Sequence, residues 1–175
     1  TLGAPRVHPK DERPQQAPGG FQEAGMVWNA YDKGYRLGTT SSSDHGSTHI
    51  SYSMVFTPEN DRQAIIDSIK KRHTYGATDN FIIDFRANGH FMGDEFETAD
   101  EPALTLNAAG TGKIAQLTLV RNNEYIYTDE PNSATVSFKY TDMDPAEGTN
   151  LYYFRLLQED GEVCWSSPIW VNYKK

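Results

Sequence analysis

A chain of 175 residues, 37% hydrophobic and 12% aromatic, can form one sizeable domain or a fragment joined to a small one, and it is too rich in core-forming residues to be disordered. Its 24 acidic and 16 basic side chains leave a formal charge of −8, and no basic stripe is interleaved with aromatics, so nucleic acid is not an expected partner. Mean hydropathy is −0.67 and no apolar run approaches the roughly 20 residues of a membrane-spanning helix, so a soluble chain without a transmembrane segment is expected.

Pro5, Pro9, Pro14 and Pro18 remove donors and block helix, so residues 1–20 read as a proline-rich surface-wrapping or disordered arm. A short helix is predicted over Phe21–Tyr31, with Ala24, Val27, Trp28 and Tyr31 on one face and Gly34 as its stop. Tyr35–Thr40 reads as a short strand, and Ser41–His49 as a polar loop. Ile65, Ile66 and Ile69 recur at helical spacing after the Thr57-Pro58 start signal, and Lys70, Lys71 and Arg72 suit a helix C-terminus, so a helix is predicted over about Asn60–Arg72.

Beyond Asn80 the pattern becomes that of strands. Phe81–Phe85 is followed by the turn pair Asn88-Gly89, and Leu104/Leu106, Leu117/Leu119 and Val136/Phe138/Tyr140 alternate with polar residues. Asn122-Asn123 marks a hairpin before Glu124–Tyr127, and Asp160-Gly161 turns the aromatic run Leu151–Leu157 back into Glu162–Trp165. The expected fold class is mainly β: an Ig-like antiparallel sandwich of about seven strands over 80–175, preceded by a helix–strand–helix unit over 21–79. That first unit is too small to bury both faces of its own strand.

Chemistry concentrates in Ser43-Asp44-His45-Gly46-Ser47-Thr48-His49. Carboxylate and imidazole are the usual ligands of zinc, manganese or iron in hydrolases, and strand ends are where barrel enzymes assemble such sites. The competing reading is a polar surface loop whose Ser and Asp side chains bond their own backbone.

Other clusters read as structure. Gly110-Thr111-Gly112-Lys113 lacks the spacing of a phosphate loop and reads as a turn. The acidic groups around Asp94–Glu101 and Asp142–Glu147 match no calcium loop. Ser166 and Ser167 have no base nearby in sequence and no nucleophile elbow around them. Tyr152, Tyr153, Phe154, Trp165 and Trp170 read as sandwich core, with a carbohydrate-stacking platform as the alternative. The lone Cys164 reads as a buried thiol and excludes an internal disulfide and a Cys-based zinc site. It does not fix the compartment, and a bacterial periplasmic or secreted location is compatible with it.

The stretch Gly34–Gly38 through Ser43–His49 resembles the last metal-binding motif of the PHP (polymerase and histidinol phosphatase) superfamily, and is most similar to a PHP-like group of largely undefined function. Three further phrases of that group follow in order: Arg72-His73-Thr74-Tyr75-Gly76-Ala77-Thr78-Asp79-Asn80, Gly89-His90-Phe91-Met92-Gly93-Asp94, and Trp165-Ser166-Ser167-Pro168-Ile169-Trp170-Val171. The resemblance implies a distorted barrel with up to three divalent metal ions (Zn, Mn or Fe) that activate water to hydrolyse a phosphoester or related bond. It implies Asp44 and His45 as metal ligands, with His49 in reserve, although Asp44 and His45 are adjacent where the family spaces its pair two positions apart. No His-x-His pair occurs, and His8, His73 and His90 lie in the wrong segments to replace one. The chain is therefore expected to be the C-terminal part of a metal-dependent hydrolase, partnered by the N-terminal remainder of its barrel and inactive alone.

Overall fold

The computed structural model describes residues 26–43 and 49–175. The proline-rich arm, residues 21–25 of the first predicted helix, and Asp44 to Thr48 lie outside the described residues.

The described chain is mainly β. In chain order it runs α1 (Val27–Asp32), β1 (Tyr52–Val55), α2 (Arg62–Lys70), β2 (Thr74–Ala77), β3 (Ile82–Ala87), β4 (His90–Phe91), β5 (Glu95–Thr98), β6 (Ala103–Arg121), β7 (Glu124–Asp129), β8 (Ser133–Thr141), β9 (Gly148–Gln158), β10 (Val163–Ser166) and β11 (Ile169–Tyr173). Among the described residues the strands form one 11-stranded sheet in the order β1-β2-β10-β9-β6-β3-β4, with β11 on β9, β5 on β11, and β7 and β8 on β6. All pairs are antiparallel except β11 with β5.

The long strand β6 organises this sheet. Its first half pairs with β3 and β8, and its second half with β7 and β9. The sheet folds back so that its halves face each other across one core, where Phe85 of β3 meets Phe154 of β9 edge-on at 4.9 Å between ring centroids. Gly110-Thr111-Gly112-Lys113 is therefore not a turn. It lies within β6, where the register is irregular between Ala109 and Ile114 as the strand passes from one half to the other.

Alternation in β9 sends Tyr152, Phe154 and Leu156 into that core, while Leu151 and Tyr153 join a second cluster with Val120, Val163, Trp165 and Trp170. Helix α1 covers the second cluster through Tyr31, whose ring lies 6.3 Å from Tyr153 and edge-on to Trp170 at 6.5 Å. The β6–β7 turn holds α1 in place, since Asn123 Nδ2 donates to Asp32 Oδ1 (2.8 Å) and to the Trp28 carbonyl (3.2 Å).

The N-terminal half departs from expectation. Tyr35–Thr40 belongs to no strand, and the strand in this region is β1, where Tyr52 and Met54, with Phe56 just beyond, alternate with Ser53 and Val55. Met54 and Phe56 pack on the main core, which is why β1 settles on the edge of β2. Helix α2 lies within the predicted span Asn60–Arg72, and its N-cap is Asp61, whose carboxylate accepts from the Ala64 N–H (2.9 Å). Residues 21–79 and 80–175 share a sheet, since β2 lies between β1 and β10 and sends Tyr75 and Ala77 into the main core.

Asp142, in one of the acidic groups that match no calcium loop, is only 3% exposed. Arg121 Nη1 donates to both of its oxygens (3.0 and 2.8 Å), and Tyr152 Oη donates to Oδ2 (2.6 Å). Burial, reinforced by that bond, pushes the Tyr152 hydroxyl far above its ordinary range, so it stays a donor at neutral pH. Asp142→Ala leaves Arg121 without its carboxylate and is expected to cost about 3 kcal/mol in urea unfolding. Tyr152→Phe should cost about 1 kcal/mol. A loss below about 1 kcal/mol for Asp142→Ala contradicts a structural role for the pair.

Candidate functional site

The segment from Gly34 to Ser43 leads into the Asp44–Thr48 loop. Residues 35–41 belong to no ladder, so their polar groups must find partners elsewhere. Arg36 Nε and Nη2 donate to Glu95 Oε1 (3.1 and 2.9 Å) at the start of β5, and its guanidinium lies 5.5 Å from the Trp170 ring centroid. The buried Thr39 donates its N–H to Ser167 Oγ (2.8 Å) and its hydroxyl to the Ser166 carbonyl (3.0 Å). Ser167 is bound to Thr74 in turn: their hydroxyls lie 3.1 Å apart, and the Ser167 N–H donates to the Thr74 carbonyl (3.2 Å). The Ser166 hydroxyl accepts the Phe154 N–H of β9 (2.9 Å). Thr39, Thr74, Ser166 and Ser167 thus form a buried polar seam joining the loop-bearing segment to β2, β9 and β10.

Two glycines permit the close approach. A Cβ on Gly76 of β2 would lie 2.2 Å from Ser41 Oγ. Gly93 has a φ of +97°, and a Cβ there would lie 2.4 Å from the Arg72 carbonyl oxygen. The chain crosses itself at this point after α2. The Arg72 N–H donates to the Ile69 carbonyl (2.9 Å) and the His73 N–H to the Ser68 carbonyl (3.0 Å), closing the helix with Arg72 at a φ of 62° where glycine is usual. Arg72 also uses its side chain: Nε donates to the Gly93 carbonyl (2.9 Å), and the guanidinium lies 5.2 Å from the Trp170 ring centroid. His73 Nε2 and Asp94 Oδ1 lie 3.0 Å apart, and Asp94 Oδ2 accepts the Phe91 N–H (2.9 Å).

These residues come from all four sequence phrases singled out above, so segments up to about 130 positions apart meet at one joint. The candidate metal ligands divide differently. Asp44 and His45 lie outside the described residues, and His49 is exposed just beyond the loop. His73 is paired with Asp94, and His90 stacks on Phe96 at 3.9 Å. Among the described residues no group of three His, Cys, Asp or Glu side chains could hold a metal ion.

Tyr152, Tyr153, Phe154, Trp165 and Trp170 are all buried, so they present no stacking platform. Cys164 is likewise buried, and burial pushes its thiol well above the ordinary range. Sequence reasoning missed the Thr39–Ser167 seam. Its only signal was a pair of adjacent serines inside an otherwise apolar run, Val163 to Val171.

No family model matches the chain. An uncharacterized protein of Chlamydia trachomatis is 31% identical over 129 residues, an uncharacterized protein of Chlamydia muridarum is also 31% identical, and one of Chlamydia pneumoniae is 30% identical. Each alignment covers 63% of this chain and 21% of the relative, so the chain spans about a fifth of the length of the curated relatives it matches. A solved structure of Clostridium thermocellum CbhA fibronectin(III)-like modules aligns with a TM-score of 0.36 and 17% identity, covering 50% of this chain and 93% of that one. No helix among the described residues is long and apolar enough to cross a membrane.

Strain and side-chain bonding at Arg72 can be separated by substitution. Arg72→Ala and Arg72→Gly lose the same bonds to Gly93 and Trp170, but only alanine keeps a Cβ at positive φ. Arg72→Ala should therefore be the less stable of the two by about 1 kcal/mol in urea titration. Equal stabilities contradict a strained Arg72.

Proposed function

We propose that the chain is the C-terminal part of a PHP-type metal-dependent hydrolase, carrying one corner of the metal site and an Ig-like accessory sandwich that braces it. The observation carrying this reading is the joint: the four phrases that resemble the PHP-like group meet around Thr39, Thr74, Gly93 and Ser167, and the Asp44–His49 stretch begins five residues beyond Thr39. Residues that only shared a surface would not need buried hydrogen bonds to one another.

In this reading Asp44 and His45 are metal ligands and His49 is held in reserve. The metal, when bound, supplies an activated water for phosphoester hydrolysis. The chain's own residues hold the ligand loop against a rigid sheet. The N-terminal remainder of the barrel would pack on the side of α2, where Ile66 and Ile69 are 39% and 47% exposed and only Ser68 is buried. Apolar residues one helical turn apart on an open face suit a helix that continues into another layer.

The test compares the 175-residue chain with the same chain extended by that remainder. The isolated chain should show no turnover of a generic phosphodiester above a manganese-only or zinc-only blank. The extended protein should retain metal through gel filtration and lose it on Asp44→Ala. Turnover by the isolated chain, or an extended protein that retains no metal, contradicts the proposal.

A further inference from the structure

A cavity of about 560 Å³ opens between α2 and the stretch that leaves β1, lined by residues between Phe56 and His73. Its origin lies in the pattern of α2. Ala64 and Ser68, one turn apart, line it, while the larger Ile66 and Ile69 are exposed. Two small side chains on that face of the helix leave room that larger ones would fill. Phe56 and Pro58 supply an apolar wall from the other side of the chain.

Ser68 is the only buried residue of α2, at 4% exposed. Among the described residues its hydroxyl has no hydrogen-bond partner, not even the Ala64 carbonyl one turn earlier, where helical serines commonly bond back. A buried hydroxyl that lines a cavity without a partner calls for one from outside the chain.

The charges around it are arranged in the same sense. Asp67 and Lys71 both line the cavity, four residues apart with the acid first, the order that favours an ion pair along a helix. Among the described residues they do not pair. Asp67 Oδ1 accepts from Gln63 Nε2 instead (2.9 Å), and Lys71 has no acidic partner. His73 lies just past the helix end, held by Asp94 through Nε2 (3.0 Å), which leaves Nδ1 as its remaining polar ring atom. The cavity therefore offers a carboxylate, then a hydroxyl, then an ammonium, beside an aromatic wall. The two charges stand about 6 Å apart along the helix axis.

We propose that this cavity binds a small zwitterion with an apolar side chain, of the class of the apolar α-amino acids. The ligand's ammonium meets Asp67, its carboxylate meets Lys71 and the Ser68 hydroxyl, and its side chain lies on Phe56 and Pro58. A simple anion or a simple cation would leave one of the two helix charges unanswered. The inference stands apart from the metal reading, since no residue of the Gly34–Ile50 stretch lines the cavity.

The experiment is a titration of the 175-residue chain with L-leucine, followed by its amide and histidine-ring NMR signals, with thermal unfolding recorded for every variant. Saturable shifts are expected at Ser68, Lys71 and His73, with half-saturation at about 1–10 mM for so small a ligand. Isoamylamine, which lacks the carboxylate, and isocaproate, which lacks the ammonium, should each bind at least about ten-fold more weakly. Asp67→Asn and Lys71→Gln should each weaken leucine binding by about ten-fold. Ser68→Leu, which fills the cavity, should abolish it, and Lys70→Gln, outside the lining, should leave it unchanged. If Ser68→Leu does not fold, the Asp67 and Lys71 variants carry the test.

No saturable shift at Ser68, Lys71 and His73 overturns the proposal. So does an analogue with one charge that binds as tightly as leucine, or folded Asp67→Asn and Lys71→Gln proteins that bind leucine like the wild type.

Discussion

Ser167 satisfies backbone groups that no strand ladder can reach. The Gly34–Ser43 segment contributes no strand, only an isolated bridge at Ser42, and Thr39 is buried. An unpaired buried N–H would cost about 1–3 kcal/mol, enough to lift the segment off. The Ser167 hydroxyl takes that N–H and shares its other side with Thr74, so one side chain ties a non-strand segment to β2 at the end of β10.

The strands beneath the seam form a stiff base. The middle of β9 is buried on both faces, because the folded sheet covers one and α1 covers part of the other. Trp170 in β11 packs against Tyr31 and receives the guanidinium groups of Arg36 and Arg72, one from each side of the loop in sequence. Of the two cations against one buried indole, Arg36 is also paired with Glu95 and Arg72 donates to the neutral Gly93 carbonyl. Displacing either segment would break aromatic and polar contacts at once.

Features with a local cause were legible in the sequence. The mainly β character, the core role of the aromatic run Tyr152–Phe154, the Asn88-Gly89 and Asn122-Asn123 turns and the position of α2 follow from periodicity and turn chemistry alone. Features caused by distant partners were not. Tyr35–Thr40 has strand-like residues but finds Ser166 and Ser167 instead of a neighbouring strand. Gly110 to Lys113 looks like a turn but continues β6, because the two halves of that strand pair with different partners. Asp142 looks solvated and is buried, because Arg121 lies 21 residues earlier in the chain. Of the candidate metal ligands, Asp44 and His45 lie outside the described residues, and only His49 has a described position, exposed at the loop's returning end.

The central claim is that the loop-bearing segment is held on the sheet by the Thr39–Ser167–Thr74 seam. Native-state hydrogen exchange of the Thr39 amide tests it most directly, because that N–H has a side-chain oxygen as its acceptor and no ladder partner. The account predicts that Thr39 exchanges as slowly as the β9 amides, and that Ser167→Ala releases it to fast exchange while β6 and β9 stay protected. A Thr39 amide that exchanges freely in the wild-type chain, or one that stays protected in Ser167→Ala, would contradict it.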